Sequence, residues 1–370
     1  MQVPFIDLKA PYNAQKNEID AALQDILTNT AFIGGPRVTA FEKNFAEYIG
    51  TSSCVAVSNG TEALFATLKV LGIGPGDEVI IPANTFIATA EAISHCGATP
   101  VFVDASAEDY QIDVSQIENR ITNKTRALLP VHLFGHPADM PAILEIARSK
   151  NLFVVEDAAQ AHGALIGDRT VGTFGLAACY SFYPAKNLGA FGDAGAVVTN
   201  HRDLEEQLRV FINHGRHPEM GHAMIGTNAR MVAMQAMVLD LKLKRLQEAN
   251  EKRRANAAVY NELIAASNVA DRIVTPPERD GVTPVYHLYV IQTDKRDELR
   301  SFLGENGIGA GIHYDQAVPY TRAYEHLGYT PEDCPVAHRL QDRILSLPMF
   351  PELKQEQMEY VVANIEKFFA

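Results

Sequence analysis

The sequence predicts an α/β fold with a mostly parallel central sheet, helices on both faces of that sheet and a smaller C-terminal α/β domain. From about Cys54 to Asn200, short runs of β-branched residues alternate with helical stretches, separated by Gly, Pro and Asn. This alternation is typical of strand-helix-strand units, which place consecutive strands in parallel. A chain of 370 residues with 47% hydrophobic residues is long enough for one large domain and a second, smaller one.

Six apolar segments are predicted to form parallel strands, and a seventh is expected to join the sheet in the antiparallel direction. The six segments are CVAVS (54–58), EVIIPA (78–83), TPVFVD (99–104), RALLPVHLF (126–134), LFVVED (152–157) and AACYSF (177–182). The seventh segment is GAVVTN (195–200). Because these segments are apolar at consecutive positions, helices must cover both faces of the sheet.

The chain after the sheet is predicted to continue through helices into a small domain. Residues 231–266 are rich in Ala, Met, Leu, Lys, Glu and Arg and contain no Gly or Pro, as expected of one or two long helices. The segment TPPERDGVTP (275–284) breaks the helical pattern, and YHLYVIQT (286–293) alternates as a strand does. We therefore expect a large domain over 1–240, linking helices over 241–274 and a small domain over 275–370.

Charge and cysteine content argue against several classes of protein. The chain has 32 Lys and Arg against 45 Asp and Glu, a net charge of -13, whereas nucleic acids and anionic membranes require a basic surface. The four cysteines are far apart in sequence, which indicates neither a zinc site nor a disulfide framework. The N-terminus has no basic segment followed by an apolar run. We expect a cytoplasmic protein with no metal, no membrane span and no nucleic-acid partner.

Candidate functional residues follow the predicted strands at their carboxyl ends, where ligands collect in open α/β sheets. Gly60 and Thr61 follow the first strand and open a helix, whose N-terminus favours a phosphate, and Gly60 allows the backbone to approach closely. An ordinary helix cap is the alternative. Phe86 follows the second strand, where its side chain can cover one face of a flat ring or pack in the core.

Two charged residues follow later strands. Asp157 ends the fifth strand, and burying its carboxylate is costly unless a cation, such as a protonated pyridine nitrogen, lies beside it. Capping of the next helix is the alternative. Lys186 follows the sixth strand in an apolar, glycine-rich loop, where a Schiff-base lysine would have to lie; a solvated surface lysine is the alternative. Together with the phosphate-binding turn and the ring cover, these residues make the set that pyridoxal phosphate needs from a protein.

Six long segments carry a resemblance to a known family. They are FIGGPRVTAFEKNFAEYIG (32–50), SNGTEALFATL (58–68), GDEVIIPANTFIATAEAI (76–93), PVHLFGHPADM (130–140), VVEDAAQAHGA (154–164) and SFYPAKNLGAFGDAGAVVTN (181–200). In this order they resemble the sugar aminotransferases of the DegT/DnrJ/EryC1/StrS family, and the resemblance extends over about residues 4–369. The family has the aspartate-aminotransferase fold, fold type I of the pyridoxal-phosphate enzymes, so the resemblance implies that fold here.

The resemblance implies pyridoxal 5'-phosphate as cofactor and a role for each motif residue. Lys186 would form the Schiff base and move a proton between cofactor and substrate. Asp157 would pair with the pyridine nitrogen, Gln160 would lie near the 3-hydroxyl, and Phe86 would stack on the ring. The phosphate would be bound by Gly60, Thr61 and Ser181.

The resemblance also implies a homodimer with shared active sites. Asn228 in GTNARM (226–231) would reach the phosphate in the neighbouring subunit. Arg230, His313 and Tyr314 are similar to residues on the substrate side of the site. Because an amino-acid donor and a nucleotide-sugar acceptor are both anionic, Arg230 and His313 are candidates for local positive charge. A structural ion pair is the alternative for each.

The implied activity is transfer of an amino group from L-glutamate to a nucleotide-linked ketosugar. Residues 181–197 are most similar to members that act on a dTDP-linked 3-keto-6-deoxyhexose, followed by members that act on UDP-linked 3-keto or 4-keto sugars. Lys186 argues against relatives that dehydrate a sugar, in which histidine replaces the lysine. The segment SNGTEA (58–63) lacks the Gly-x-Gly-x-x-Gly turn of a nicotinamide oxidoreductase. A non-catalytic regulator that keeps the cofactor pocket remains a third alternative.

The chain departs from the family pattern where substrate is expected to bind. Asp315 follows the His-Tyr pair at a position where proline is common, and AVPYTRAY (317–324) lacks a frequent His-x-Gln. Ala229 and Val232 also replace residue types often found around the Asn-x-Arg motif. The sequence therefore does not identify the nucleotide, the sugar or the carbon that is aminated.

Overall fold

Helices and strands alternate along the chain in the computed structural model, which describes all residues from Met1 to Ala370. The helices are α1 (Lys9–Thr28), α2 (Pro36–Ile49), α3 (Gly60–Val70), α4 (Ile87–His95), α5 (Val114–Arg120), α6 (Met140–Lys150), α7 (Arg202–Phe211), α8 (Ala233–Leu243), α9 (Leu246–Ala266), α10 (Arg296–Glu305), α11 (Pro335–Gln341) and α12 (Gln355–Phe369). The strands are β1 (Ser53–Val57), β2 (Glu78–Pro82), β3 (Thr99–Val103), β4 (Thr125–Leu128), β5 (Phe153–Asp157), β6 (Leu165–Ile166), β7 (Arg169–Thr170), β8 (Ala177–Ser181), β9 (Gly195–Thr199), β10 (Arg216–His217), β11 (Gly221–His222), β12 (Val282–Thr283), β13 (Tyr289–Gln292) and β14 (Ile344–Leu347).

A seven-stranded sheet forms the centre of the molecule, in the order β1-β9-β8-β5-β4-β2-β3. Four parallel pairs join β3, β2, β4, β5 and β8. β9 is antiparallel to both of its neighbours, β1 and β8, which confirms the predicted antiparallel addition. The mostly parallel sheet confirms the predicted α/β fold class. Because β9 alone is reversed, the carboxyl ends of the other six strands lie at the same edge of the sheet.

Helices cover both faces of this sheet. In β1, Val55 and Val57 belong to a core of 32 buried residues that includes side chains of α3 and α4. Cys54 and Ala56 belong to a second core of 24 buried residues, which includes side chains of α2 and α8. Successive side chains of a strand point to opposite faces, so burial on both sides explains why the strands are apolar at consecutive positions.

Two strands are shorter than predicted by more than one residue. β4 ends at Leu128, whereas the prediction continued to Phe134. Pro130 has no N–H to donate to a neighbouring strand, so regular pairing ends before it. β13 begins at Tyr289, whereas the prediction began at Tyr286. Tyr286 has a φ of 41°, which lies outside the extended region and delays the start of the strand.

The long helices predicted after the sheet are present as α8 and α9. A third core of 21 buried residues contains side chains of α9 and α12 and of the antiparallel pair β13 and β14. Val3 belongs to the same core, and its backbone bonds to Gly307 and Gly309 at 2.9 and 2.8 Å. The first residues of the chain thus pack with its C-terminal part. The division into segments 1–240, 241–274 and 275–370 remains our proposal.

The four cysteines are buried and unpaired. Burial raises the pKa of Cys96 to about 11 and that of Cys334 to about 12, so neither thiol is a good nucleophile near neutral pH. Among the helices, none combines the length and the hydrophobicity needed to cross a membrane. The cytoplasmic location expected from composition remains a prediction.

Candidate active site

A cavity of about 540 Å³ lies at the edge of the sheet where β1, β2, β5 and β8 end. Nine of the eleven residues predicted for the site line it, namely Gly60, Thr61, Phe86, Asp157, Gln160, Ser181, Lys186, His313 and Tyr314. Asn228 and Arg230 do not line it. The common direction of the strands therefore brings together groups that are more than a hundred residues apart in the chain.

Lys186 lies in a tight loop between β8 and β9. The Lys186 N–H donates to the Tyr183 carbonyl at 2.8 Å, and the Ala190 N–H donates to the Phe182 carbonyl at 2.8 Å. Burial lowers the pKa of Lys186 to about 8, although attraction to the Asp157 carboxylate opposes this shift. Roughly a tenth of the amine is then uncharged at pH 7, and the uncharged amine is the form that attacks a carbonyl carbon.

Asp157 is the last residue of β5 and is only 5% exposed. The Thr89 hydroxyl donates to its Oδ2 at 2.9 Å, and the Ala159 N–H donates to its Oδ1 at 3.1 Å. Burial raises the pKa of Asp157, and these two donors oppose that shift. The carboxylate forms no ion pair with a side chain, so a cation in the cavity would offset the cost of burying its charge.

Gly60 brings the start of α3 against Ser181. A Cβ atom at position 60 would lie 2.7 Å from the Ser181 Cβ, so a larger residue would push these two segments apart. The Asn59 side chain caps α3 by accepting from the Glu62 N–H at 2.8 Å. Gly60, Thr61 and Ser181 therefore form one end of the cavity at the positive end of a helix, where a phosphate is stabilised.

Phe86 and Tyr314 form an aromatic wall on the cavity, with ring centroids 5.3 Å apart. Phe86 is 49% exposed, so it is available to cover a flat ring and is not part of the core. Gln160 accepts from the Phe134 N–H at 2.7 Å through Oε1 and donates to the Tyr314 hydroxyl at 3.1 Å through Nε2. Gln160 thus holds Tyr314 in this wall.

His313 does not supply the positive charge that was expected of it. Its Nδ1 lies 2.8 Å from the Ser346 Oγ, and its ring stacks on Phe5 with centroids 5.6 Å apart. Burial, together with the nearby charge of Lys186, lowers the pKa of His313 to about 4. The imidazole is therefore neutral near pH 7 and can act on a substrate only as a hydrogen-bonding group.

Asn228 and Arg230 form an exposed cluster with Asn213. Arg230 donates to the Asn228 Oδ1 at 3.1 Å through Nε and to the Asn213 Oδ1 at 3.0 Å through Nη1. Arg230 has no carboxylate partner in its own chain, so it forms no structural ion pair there. Neither side chain lines the cavity of its own chain, and a role for them in a site would require a second subunit.

Thr89 and His287 belong to the site but are missing from the prediction. The Thr89 Oγ1 lies 2.8 Å from the Thr85 Oγ1, and its place in the first turn of the helix that follows β2 was a usable signal for Thr89. His287 lines the cavity, and its Nδ1 is buried without a hydrogen-bond partner. Burial and the charges of Lys186 and Arg253 hold the pKa of His287 well below its usual range. Nothing in the local sequence distinguishes this histidine from one in the core.

A chain of hydrogen bonds connects α9 to the loop of Lys186. Asn187 donates through Nδ2 to the Asn250 Oδ1 and to the Val285 carbonyl, both at 2.9 Å. The Asn250 Nδ2 donates to the His162 carbonyl at 2.7 Å. The His162 Nε2 donates in turn to the Ser181 carbonyl at 2.9 Å. Asn250 therefore links the neighbour of Lys186 to the backbone at the phosphate end of the cavity.

Comparison with known proteins identifies relatives over the whole chain. The sequence model of the DegT/DnrJ/EryC1/StrS aminotransferase family matches residues 13–366. A pleiotropic regulatory protein of Geobacillus stearothermophilus is 44% identical, with 100% of this chain and 99% of the relative aligned. The dTDP-3-amino-3,4,6-trideoxy-alpha-D-glucose transaminase of Streptomyces venezuelae is 43% identical over 99% of this chain and 96% of its own. The UDP-N-acetyl-3-dehydro-alpha-D-glucosamine 3-aminotransferase of Acidithiobacillus ferrooxidans is 41% identical over 99% and 97%.

Solved structures have the same fold along their length. The crystal structure of DesV from S. venezuelae matches with a TM-score of 0.95 and 43% identity, covering 99% of this chain and 98% of the other. The structure of NtdA from Bacillus subtilis, which contains the bound cofactor PMP, matches with a TM-score of 0.90 and 30% identity. That match covers 99% of this chain and 85% of NtdA.

Proposed function

The chain belongs to the DegT/DnrJ/EryC1/StrS aminotransferase family, and we propose that it moves the amino group of L-glutamate to the keto group of a nucleotide-linked sugar. Its cofactor is pyridoxal 5'-phosphate. The observation that carries the proposal is the meeting of three features at one cavity. These are the Lys186 amine with its lowered pKa, the Asp157 carboxylate without an ion-pair partner, and the start of α3 beside Ser181.

The residues of the cavity fit the cofactor group by group. The start of α3 would hold the phosphate through Gly60, Thr61 and Ser181, because the free N–H groups of a helix start attract an anion. Glycine at position 60 allows Ser181 to lie close to this helix start. Asp157 would keep the ring nitrogen protonated, and Phe86 would cover the ring. When bound, pyridoxal phosphate supplies an electron sink for the carbon that loses or gains the amino group.

Lys186 would carry protons at its Nζ during amino transfer. A group transfers protons most efficiently when its pKa lies near the working pH, and the pKa of Lys186 is about 8. The same amine can therefore accept a proton and return it at small cost in free energy. Asp157 would remain ionised beside a protonated ring nitrogen, because that pairing offsets the cost of burying its charge.

The aromatic wall would keep water away from the reacting atoms. Tyr314 cannot turn freely, because its hydroxyl accepts the hydrogen bond from Gln160 at 3.1 Å. Water at this position would hydrolyse a carbon–nitrogen bond formed by the Lys186 amine. A fixed wall would therefore protect that bond.

We propose a dTDP-linked 3-keto-6-deoxyhexose as the acceptor, with a UDP-linked 3-keto or 4-keto sugar as the alternative. The relative named for a dTDP-linked amino sugar is 43% identical, and the relative named for a UDP-linked one is 41% identical. These identities are too close to separate the two nucleotides. Asp315, where the family pattern has proline, follows Tyr314 of the aromatic wall and is the first position to vary in a specificity study.

A regulatory role is the second candidate function. The relative that is 44% identical over the whole chain is named a pleiotropic regulatory protein. Cofactor binding through Lys186, Asp157 and Thr89 would be compatible with either an enzyme or a regulator. Turnover, and not binding of the cofactor, therefore distinguishes the two functions.

We also propose a homodimer whose subunits share their active sites. Met220 and Ile225, in the segment before Asn228, are 66% and 95% exposed. Phe32 and Ile33 are 42% and 59% exposed, and they pair with the backbone that follows Arg230. Large apolar side chains exposed on both sides of the Asn228–Arg230 segment indicate surface that is covered in the assembly, and a second copy of the chain is the occupant we propose.

The experiment that tests the function is a spectrum of the holoenzyme during two additions. The visible band of the cofactor on Lys186 should fall when L-glutamate is added and return when the correct ketosugar follows. dTDP-linked and UDP-linked 3-keto and 4-keto sugars would be compared. A bound cofactor that does not respond to L-glutamate would favour the regulator. A response to L-glutamate that no nucleotide sugar reverses would refute a sugar as the acceptor.

A further inference from the structure

A second cavity, of about 250 Å³, shares Lys186 with the candidate active site but extends to a different part of the molecule. Its walls come from the start of α1, the junction of α8 and α9, the loop 184–187 and residues 350–352. Besides Lys186, four basic side chains line it, namely Lys242, Arg245, Lys252 and Arg253. In a chain with a net charge of -13, such a group of cations requires an explanation.

Two of the four cations have carboxylate partners. The Lys252 Nζ lies 2.6 Å from the Glu248 Oε1, and the Arg245 Nη2 lies 3.8 Å from the Glu18 Oε1. Both basic residues are exposed, so these pairs contribute little to stability. The two carboxylates do, however, balance the positive charges of Lys252 and Arg245.

Lys242 and Arg253 have no carboxylate oxygen within 4.0 Å. The Lys242 ammonium donates to the Gly189 carbonyl. Arg253 is 3% exposed, and its Nη1 donates to the carbonyls of Tyr286, His287 and Met349 at 3.1, 3.4 and 3.0 Å. Its Nε is buried without a hydrogen-bond partner. The guanidinium is thus positioned by neutral groups that do not cancel its charge.

The acidic residues of the cavity do not balance the positive charges of Lys242 and Arg253. Asp7 accepts hydrogen bonds from the Lys9 and Ala10 N–H groups at 2.8 and 3.1 Å, and Glu248 is paired with Lys252. Only the exposed Glu352 remains. Burial lowers the pKa of Lys242 to about 8 and that of Arg253 to about 10, and attraction to Glu352 opposes both shifts. The buried Arg253 and the half-buried Lys242 therefore face one exposed carboxylate.

We propose that this cavity binds a small oxyanion, a carboxylate or a phosphate group, between Lys242 and Arg253. An unpaired buried cation is costly, and an anion between two of them offsets that cost while it satisfies their free donors. Both side chains contact the active-site region through backbone carbonyls. Lys242 bonds to Gly189 in the loop of Lys186, and Arg253 bonds to His287, which lines the active-site cavity. Amino transfer as proposed above does not use this site.

The test is a binding measurement on holoenzyme whose cofactor has been fixed to Lys186 by borohydride reduction, so that added phosphate cannot displace it. Inorganic phosphate and succinate would each be titrated by calorimetry and then tested in competition. We expect at least one to bind and to raise the Tm, because a ligand that binds only the folded state stabilises it. A preference for phosphate assigns the site to phosphoryl groups, and a preference for succinate assigns it to carboxylates.

Two substitutions should move this affinity in opposite directions. Lys242→Met keeps the length of the side chain but removes its charge, and it should weaken binding at least about tenfold, the effect of losing one charge-assisted hydrogen bond. Glu352→Gln removes the competing carboxylate and should tighten binding. Lys244→Met, an exposed lysine just after α8 that does not line the cavity, is the matched control. The proposal is overturned if neither anion binds, or if Lys242→Met and Glu352→Gln bind as the wild type does.

Discussion

Lys186 and Asp157 are charged groups whose protonation states depend on each other. Burial lowers the pKa of Lys186 and raises that of Asp157, and attraction between the two opposes both shifts. The charged form of each group is therefore less favoured than in water, but it is not abolished. Substitution of either residue should change the chemistry of the other, and two predictions follow from this coupling at the level of single residues.

Lys186→Ala should abolish the visible band of the bound cofactor and lower turnover by about a thousandfold or more, since the amine serves as both nucleophile and proton carrier. Lys186→Arg is the matched control, because it keeps the positive charge but its guanidinium stays protonated. Absorption spectra and steady-state rates of the reconstituted proteins would measure both effects, with circular dichroism to verify folding. Full activity in Lys186→Ala would contradict the assignment.

The rate at which the apoprotein captures pyridoxal phosphate should rise with pH to a midpoint near 8. The pKa of Lys186 is lowered from 10.5 to about 8, so its reactive, uncharged form accumulates through that region. Asp157→Asn removes the attraction that opposes this lowering, and the midpoint should therefore fall further. Stopped-flow absorbance between pH 6 and 10 would measure it. A wild-type midpoint near 10.5, or one that Asp157→Asn leaves unchanged, would refute this coupling.

At the level of secondary-structure elements, α9 positions the loop of Lys186 from outside the sheet. Asn250 on α9 is fully buried and bonds to Asn187 and to the His162 carbonyl at 2.9 and 2.7 Å. The loop of Lys186 thus has a fixed contact with a helix that begins sixty residues later in the chain. The same helix carries Arg253, which lines the second cavity and donates to the carbonyl of His287 in the active-site cavity.

Asn250→Ala should lower kcat by about tenfold with little change in KM, because it frees the loop of Lys186 without touching substrate. Loss of its buried hydrogen bonds should also destabilise the fold by about 2 kcal/mol. Asn256→Ala is the matched control: it removes a buried bond from the same helix to the Phe350 carbonyl, at 2.9 Å, and leaves the hydrogen bonds of the Lys186 loop intact. Urea unfolding and steady-state kinetics would be compared. Equal losses of kcat in both variants would indicate a purely structural role for Asn250.

At the level of the whole molecule, net charge and oligomeric state affect how the site can bind anionic substrates. The net charge of -13 repels anionic substrates at long range, so their binding requires cations close to the cavity. His313 is neutral, and Arg230 lies outside the cavity of its own chain. A second subunit is therefore the proposed source of positive charge and of Asn228.

Mixtures of two inactive variants test the shared site. If Asn228 acts across the interface, a heterodimer of Lys186→Ala and Asn228→Ala contains one site in which both residues are intact. Random mixing in equal amounts should then restore about a quarter of the wild-type sites. Light scattering would establish the oligomeric state, and the activity of the mixture after exchange of subunits would measure the restoration. A monomer, or a mixture no more active than its components, would contradict the shared site.

Much of the fold and of the cavity could be predicted from local sequence patterns. Gly60, Asp157 and Lys186 follow apolar segments, and parallel strands place whatever follows them at one edge of the sheet. The antiparallel β9 and the two helices α8 and α9 were also predictable, because composition and length decide such elements. The end of β4 and the start of β13 were missed, since a proline and a positive φ interrupt segments whose composition otherwise suits a strand.

The sequence by itself determined which chemical groups meet at the edge of the sheet, because periodicity and strand direction are local properties of the chain. Only the tertiary structure decided their charge states and partners. The bond from Thr89 to Asp157 joins residues 68 positions apart, and the neutrality of His313 comes from the protein packed around it. The unpaired cations Lys242 and Arg253 are likewise defined by what lies near them. Burial and pairing are properties of residues distant in sequence, so they arise only when the chain folds.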